Sequence, residues 1–169
     1  MQSRHLQSGL FIAAITIIGV GVEVDAQRRA AGQAAAKQAI RVALKAGGQA
    51  FDSTEPGSCT HAPTAAIYQI MSELWSVQQS ADSRSLSLTF WRPKDGSGEM
   101  VNLSVRLGNT SHDVNTVRGG VTTGSGTVTL QKAGAGGTFT VNAQTKAGAA
   151  ITGTITCDVF APHIAEGGR

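Results

Sequence analysis

The sequence predicts a mainly β protein, an antiparallel β-sandwich or a small barrel of about seven or eight strands. Three observations predict it. From residue 64 onward, apolar residues recur at every second position in short runs, which is the period of a half-buried strand. The runs follow one another about every ten residues, as in all-β domains. The chain has 21 Gly and only 5% aromatic residues, a composition suited to short strands joined by turns.

The N-terminal residues match the pattern of a secretory signal peptide. Arg4 and His5 precede an apolar run, and residues 24–26 offer small side chains at the positions of a cleavage site. The run is shorter than the roughly 20 residues needed to span a bilayer. We therefore expect residues 1–26 to be a cleaved signal peptide, with an uncleaved membrane anchor as the alternative.

Residues 27–50 are rich in Ala, Gln, Lys and Arg, which are strong helix formers. They contain no acidic residue, and most of the basic ones recur every fourth residue, as on one stripe of a helix. The sequence predicts a basic helix or spacer here, either solvated or in contact with an anionic membrane or envelope polymer. The basic residues concerned are Arg28, Arg29, Lys37, Arg41 and Lys45.

From residue 51 onward the charge is nearly balanced, with eight basic and nine acidic residues. A nucleic-acid partner is therefore not expected, because it would need a basic patch on the folded domain. The segment 51–63 is predicted to be a loop because it contains two prolines. The strands predicted for the 51–169 domain are 65–70, 74–79, 84–92, 100–107, 111–118, 126–131, 138–144 and 151–160.

The two cysteines, Cys59 and Cys157, predict one disulfide. A secreted protein with an even cysteine count most simply joins them, here closing a loop of about 98 residues. Two other interpretations stay open. One is a thiol nucleophile assisted by His61, and the other is a zinc site that uses both cysteines and His61, although no spacing typical of zinc ligands supports it.

No other pattern points to catalysis, a metal or a cofactor. His112 and Asp113 follow a polar segment that reads as a turn, and the chain lacks the G-x-S-x-G elbow of serine hydrolases. The carboxylates are never paired, and no glycine-rich stretch is followed by the Lys of a phosphate loop. We therefore expect a protein that is not an enzyme.

Three residues are candidates for ligand binding: Trp91, Arg92 and Tyr68. Trp91 lies on the face of its predicted strand opposite to Phe90, so it is either an exposed aromatic platform or a core residue under a second layer. Alternation alone does not decide between these two interpretations.

Residues 126–157 read GTVTLQKAGAGGTFTVNAQTKAGAAITGTITC. This stretch resembles the end of small exported bacterial β-sandwich proteins such as mycobacterial surface lipoprotein antigens, in which a TFTV-type strand, a turn and a G-T-x-x-C strand close the domain. The resemblance covers about a fifth of the chain and implies export and a terminal disulfide. It transfers no functional residue, and the chain lacks the lipid-anchoring cysteine of those antigens.

Together these features predict an exported bacterial protein, periplasmic or secreted, whose role is non-enzymatic binding or envelope structure. The ligand would be a glycan, a lipid or another protein. Two alternatives are a membrane-anchored, pilin-like subunit of an envelope assembly and a hydrolase with an unrecognised site.

Overall fold

The computed structural model describes residues 37–163, and these residues form an antiparallel β-sheet that is nearly closed as a barrel. This confirms the predicted fold class. Eleven strands lie within the described residues: β1 Gln38–Ala46, β2 Gln49–Ser53, β3 Pro56–Ile67, β4 Ile70–Ala81, β5 Arg84–Pro93, β6 Met100–Leu107, β7 Thr110–Asn115, β8 Ser125–Ala133, β9 Gly136–Gln144, β10 Ala150–Cys157 and β11 Ala161–Pro162. The predicted signal peptide and residues 27–36 lie outside the described part.

The sheet has the strand order β7-β6-β5-β4-β3-β1-β10-β9-β8, with β2 beside β1 and the short β11 parallel to β3. β1 joins the two halves because it pairs with β3 at its start and with β10 along most of its length. The inward side chains of all the main strands form one hydrophobic core. Rings of Trp75, Phe90, Phe139 and Phe160 follow one another through it at 5.7–5.9 Å between centroids.

The helix predicted for residues 27–50 is wrong over its described part, since Gln38–Ala46 is strand β1. Ile40, Val42 and Leu44 are buried, while Arg41 and Lys45 are exposed. A spacing of four between basic residues fits a strand as well as a helix, because four is also a multiple of the strand period of two. The sheet domain therefore begins before residue 51.

The loop predicted for residues 51–63 is also wrong, because this segment belongs to β2 and β3. The prolines are tolerated where pairing is interrupted: Pro56 is the first residue of β3, and Pro63 falls in the register shift between Ala62 and Ala65. The two strands predicted around residues 65–79 are one hairpin. Its turn is Tyr68–Gln69, and β4 runs unbroken from Ile70.

The outer face of β8, β9 and β10 is uncharged and rich in threonine. Thr129, Thr140 and Thr154 are direct neighbours across the three strands, and Thr138 bonds to Thr156 at 3.1 Å between hydroxyl oxygens. Thr140 is exposed at the centre of this face.

Candidate functional site

The β3–β4 hairpin ends in an unusual turn. Its two central residues, Tyr68 and Gln69, have φ angles of 46° and 67°. A two-residue hairpin turn of this hand normally uses Asn and Gly, because a bulky side chain at positive φ is strained by about 1–3 kcal/mol per residue. The protein thus holds an aromatic residue where Asn or Gly would be more stable.

Exposed apolar side chains cluster around this turn. Tyr68, Met71 and Val121 are 61%, 49% and 79% exposed, and they are three of the four large hydrophobic side chains exposed within residues 37–163. Met71 follows the turn on β4, and the Tyr68 ring lies against Gly119 and Gly120, directly before Val121. We call Tyr68, Met71 and Val121 the tip surface.

Glycine is required where the Tyr68 ring rests. A Cβ atom on Gly119 would lie 3.0 Å from Cγ of Tyr68, and the φ of Gly119 is +84°. Both the close approach and the backbone conformation favour glycine. The loop is therefore shaped to receive the tyrosine ring.

The three predicted ligand-binding residues do not form a single platform. Trp91 is half-buried on the outer face of the sheet, between Leu74 and Met100 on the neighbouring strands. Met100 is buried although it does not belong to the main core, which shows that this outer face is covered near Trp91. Trp91 is thus a partly covered residue.

Arg92 points to the opposite side of β5 and lies over buried aromatic rings. Its guanidinium carbon is 5.4 Å from the centre of the Trp75 ring and 5.6 Å from that of Phe90. Its Nη2 and Nε atoms donate to Oε1 of Glu99 at 2.8 and 3.0 Å. Cation–π and charge-assisted contacts therefore hold Arg92 rigidly at one end of the sheet.

His61 covers Trp75, with ring centroids 4.5 Å apart and planes 15° from parallel. Burial lowers the pKa of His61 below its usual value, the nearby carboxylate of Glu73 opposes this shift, and the charge of Lys132 adds to it. The Nε2 atom lies 3.7 Å from Oε2 of Glu73, which is beyond hydrogen-bond distance. The pair thus lacks the hydrogen bond by which an acid–base pair orients the imidazole ring.

The predicted disulfide is confirmed between Cys59 and Cys157, which are both buried. Their Cα atoms are 6.2 Å apart, within the range of disulfide geometry. A sulfur joined in a disulfide is neither a nucleophile nor a zinc ligand. The structure therefore excludes both the thiol nucleophile assisted by His61 and the zinc site built from the two cysteines and His61. Among the residues that the structure describes, no three His, Cys, Asp or Glu side chains are grouped as they would be around a metal ion.

His112 lies in strand β7, within the predicted strand 111–118 and not in a polar turn, and its ring is buried against Gly47. Asp113 alternates to the exposed face and accepts a hydrogen bond from Ser111 at 3.2 Å. Because neighbouring strand residues face opposite sides, His112 and Asp113 are not positioned to act together.

The basic residues predicted to contact a membrane or polymer are only partly within the described residues. Lys37 precedes β1 and is exposed, as are Arg41 and Lys45 on the outer face of that strand, whereas Arg28 and Arg29 lie outside the described part. Arg41 forms an ion pair with Asp158 at 2.6 Å, so part of this charge is neutralised locally.

Sequence reasoning identified Tyr68 but missed Met71 and Val121. Met71 falls between the predicted strands 65–70 and 74–79, and Val121 falls between the predicted strands 111–118 and 126–131. The available signal was the stretch Ile67–Ile70, in which two apolar residues flank a two-residue turn.

No protein-family model matches this chain, and neither does any curated protein or solved structure. Within residues 37–163, there is no helix with the length and apolar character that crossing a membrane requires.

Proposed function

We propose that this chain is an exported, non-enzymatic binding protein that engages a partner protein through the tip surface. The observation that carries the proposal is the gathering of Tyr68, Met71 and Val121 around a strained turn. Strain of this kind persists where the surrounding structure enforces it, and it is concentrated at sites that bind or switch.

The chemistry of the tip surface favours a protein partner. Tyrosine and methionine are enriched at the centres of protein interfaces, where tyrosine supplies a rigid apolar ring and methionine adapts to the partner's shape. Arg118 and Lys94 flank the apolar residues: Arg118 precedes Gly119, and the Lys94 amide donates to the carbonyl of Met71. An apolar centre with a polar rim is the usual arrangement of such an interface.

A non-enzymatic role is supported by the state of the cysteine and histidine side chains that are candidates for catalysis. Both sulfurs are joined in the disulfide, and His61 lacks a hydrogen-bonded carboxylate that would orient it as a base. Export is supported by the signal-peptide pattern of residues 1–26 and by the buried disulfide, which fits an oxidising compartment. The intact mass of the exported protein should correspond to a chain that begins at Gln27.

Photo-cross-linking in the organism of origin tests the proposed binding. A photoreactive phenylalanine analogue, benzoylphenylalanine, replaces Tyr68 in one strain and the exposed Thr140 in a control strain. We expect irradiation to join the chain to another protein from position 68 and not from position 140. Adducts that are equal at both positions, or no protein adduct at position 68, would refute the proposal.

A matched pair of variants shows whether the tip surface drives this contact. Met71 and Val159 are exposed to nearly the same degree, 49% and 47%, but Val159 lies beside Gln38 at the start of β1. Met71→Asp should abolish the adduct because it places a charge in the apolar centre, and Val159→Asp should leave it unchanged.

A further inference from the structure

Strand β8 has an open edge. It pairs with β9 on one side, and no described strand pairs with it along the other. β7 and β8 are the two ends of the strand order, and within residues 37–163 the one backbone bridge between these ends joins Asn115 to Thr123, which precedes β8. The barrel is therefore incomplete next to β8.

The backbone groups on this open edge can be assigned from the hairpin that follows. Ala133 and Gly136 close a two-residue turn and form a hydrogen-bonded pair, and such pairs recur at every second residue of an antiparallel ladder. Gln131 and Thr129 thus exchange hydrogen bonds with β9. The N–H and C=O groups of Val128, Leu130 and Lys132 then point to the open edge.

The edges of β2 and β7 are protected. Along β2, the Arg84 side chain donates to the Asp52 carbonyl and covers the Phe51 ring. β7 is short and displays the exposed Asp113. β8 is nine residues long, has no proline, and carries a charge only at Lys132. Proteins usually block exposed edges with charges, prolines or coverings, so an unblocked edge indicates a place where another strand adds.

A cavity of about 220 Å³ lies directly beside this edge. It is lined by Gly126–Thr129 of β8 and, across from them, by Phe90, Gly98–Val101 and Thr116. This volume is below the roughly 300 Å³ at which pockets for drug-sized ligands begin. It suits one or two apolar side chains over a floor that includes Phe90 and Val101.

A series of neighbouring residues leads from the cavity to the tip surface. Glu99 lines the cavity and accepts hydrogen bonds from Arg92. Arg92 is opposite Glu73 on the neighbouring strand, and Met71 lies two residues before Glu73, on the same face of β4. One extended segment can thus contact both β8 and the tip surface.

We infer that the partner of the proposed function contributes an extended segment that pairs with the open edge of β8 and inserts apolar side chains into this cavity. The inference rests on the proposed function and adds its binding mode, β-strand addition. The main-chain hydrogen bonds supply affinity, and the cavity selects apolar side chains at alternate positions. A second copy pairing through its own β8 would leave this cavity unfilled, because its Val128 is buried in its own core and its Leu130 packs against that core.

The probe for this inference is a library of random nine-residue peptides displayed on phage and selected on the oxidised full chain. The most enriched peptide is synthesised, and amide hydrogen exchange is measured by NMR with and without it. We expect slower exchange at Val128, Leu130 and Lys132, and unchanged exchange at Thr129 and Gln131, which are already bonded to β9. Protection elsewhere, protection without this alternation, or the same protection without peptide at high protein concentration would overturn the inference.

Lys132 offers a matched pair of variants. Lys132→Pro removes an edge N–H, which an edge strand tolerates, and Lys132→Ala removes the side chain but keeps that donor. The selected peptide should bind Lys132→Pro at least about five-fold more weakly and Lys132→Ala nearly as well as the original chain. Equal binding to both variants contradicts strand addition. A cross-link from position 68 without peptide binding at β8 would refute β-strand addition alone. Peptide binding at β8 without a cross-link from position 68 would refute the proposed function alone.

Discussion

Removal of the Cys59–Cys157 disulfide should destabilise the fold severely. The bond closes a loop with a sequence separation of 98 residues. Restricting an unfolded chain by a loop of this length corresponds to about 4.7 kcal/mol of stabilisation. A domain of this size has a total stability of about 5–15 kcal/mol, so the loss removes about a third of it or more. Substituting both cysteines by Ala avoids leaving a buried thiol without its partner.

Urea unfolding followed by tryptophan fluorescence measures this effect. With a slope of about 2 kcal/mol per molar urea, the midpoint of Cys59→Ala/Cys157→Ala should fall by about 2 M relative to the oxidised chain. The oxidised chain after reduction should show a similar fall. A decrease of less than about 0.5 M would refute the reasoning, because the unfolded state would then not be constrained by the bond.

Two further predictions concern the site. Because burial lowers the pKa of His61, the unfolded chain binds this proton at higher pH than the folded chain does. Stability should therefore decrease as the pH falls below the usual histidine value of 6.5, and His61→Phe, which keeps the stacked ring, should show a shallower decrease in melting temperature between pH 7.5 and 5. Tyr68→Asn with Gln69→Gly should raise the free energy of unfolding by at least about 1 kcal/mol, because the turn strain of two residues exceeds the contact that the Tyr68 ring loses with Gly119. The same double variant should no longer co-purify with the partner that the cross-link identifies, and a fall in its melting temperature would contradict the strained-turn interpretation.

Much of the fold could be predicted from the alternation of apolar and polar residues. The strands from Arg84 to Leu107 and from Ser125 to Cys157 follow it closely, since one face of each lies on the core. β1 escaped prediction because the Ala residues of 34–46 weaken its alternation, and helix propensity then dominates a local interpretation. Its strand conformation is decided by pairing with β10, more than a hundred residues away in the sequence.

The candidate site was less predictable, because contacts between distant segments create it. Tyr68 and Gly119 are separated by 51 positions, and nothing local to either residue indicates that the ring rests on the glycine. The same holds for Trp91. Alternation predicts on which face of its strand Trp91 lies, but not that this face is partly covered. The disulfide could be predicted because two cysteines allow only one intramolecular pair.

The position of the disulfide also decides how the domain responds to mechanical tension. Ile40 is directly opposite Cys157, and the side chain of Gln38 exchanges hydrogen bonds with the backbone of Val159. A pulling force applied at residues 37 and 163 therefore enters and leaves the sheet at nearly the same place. The covalent bond shields residues 60–156 from the load, so only β1, β2, the start of β3 and the segment after Cys157 can be peeled away. Under tension the domain would extend by a short, fixed length, and the disulfide would then prevent any further extension.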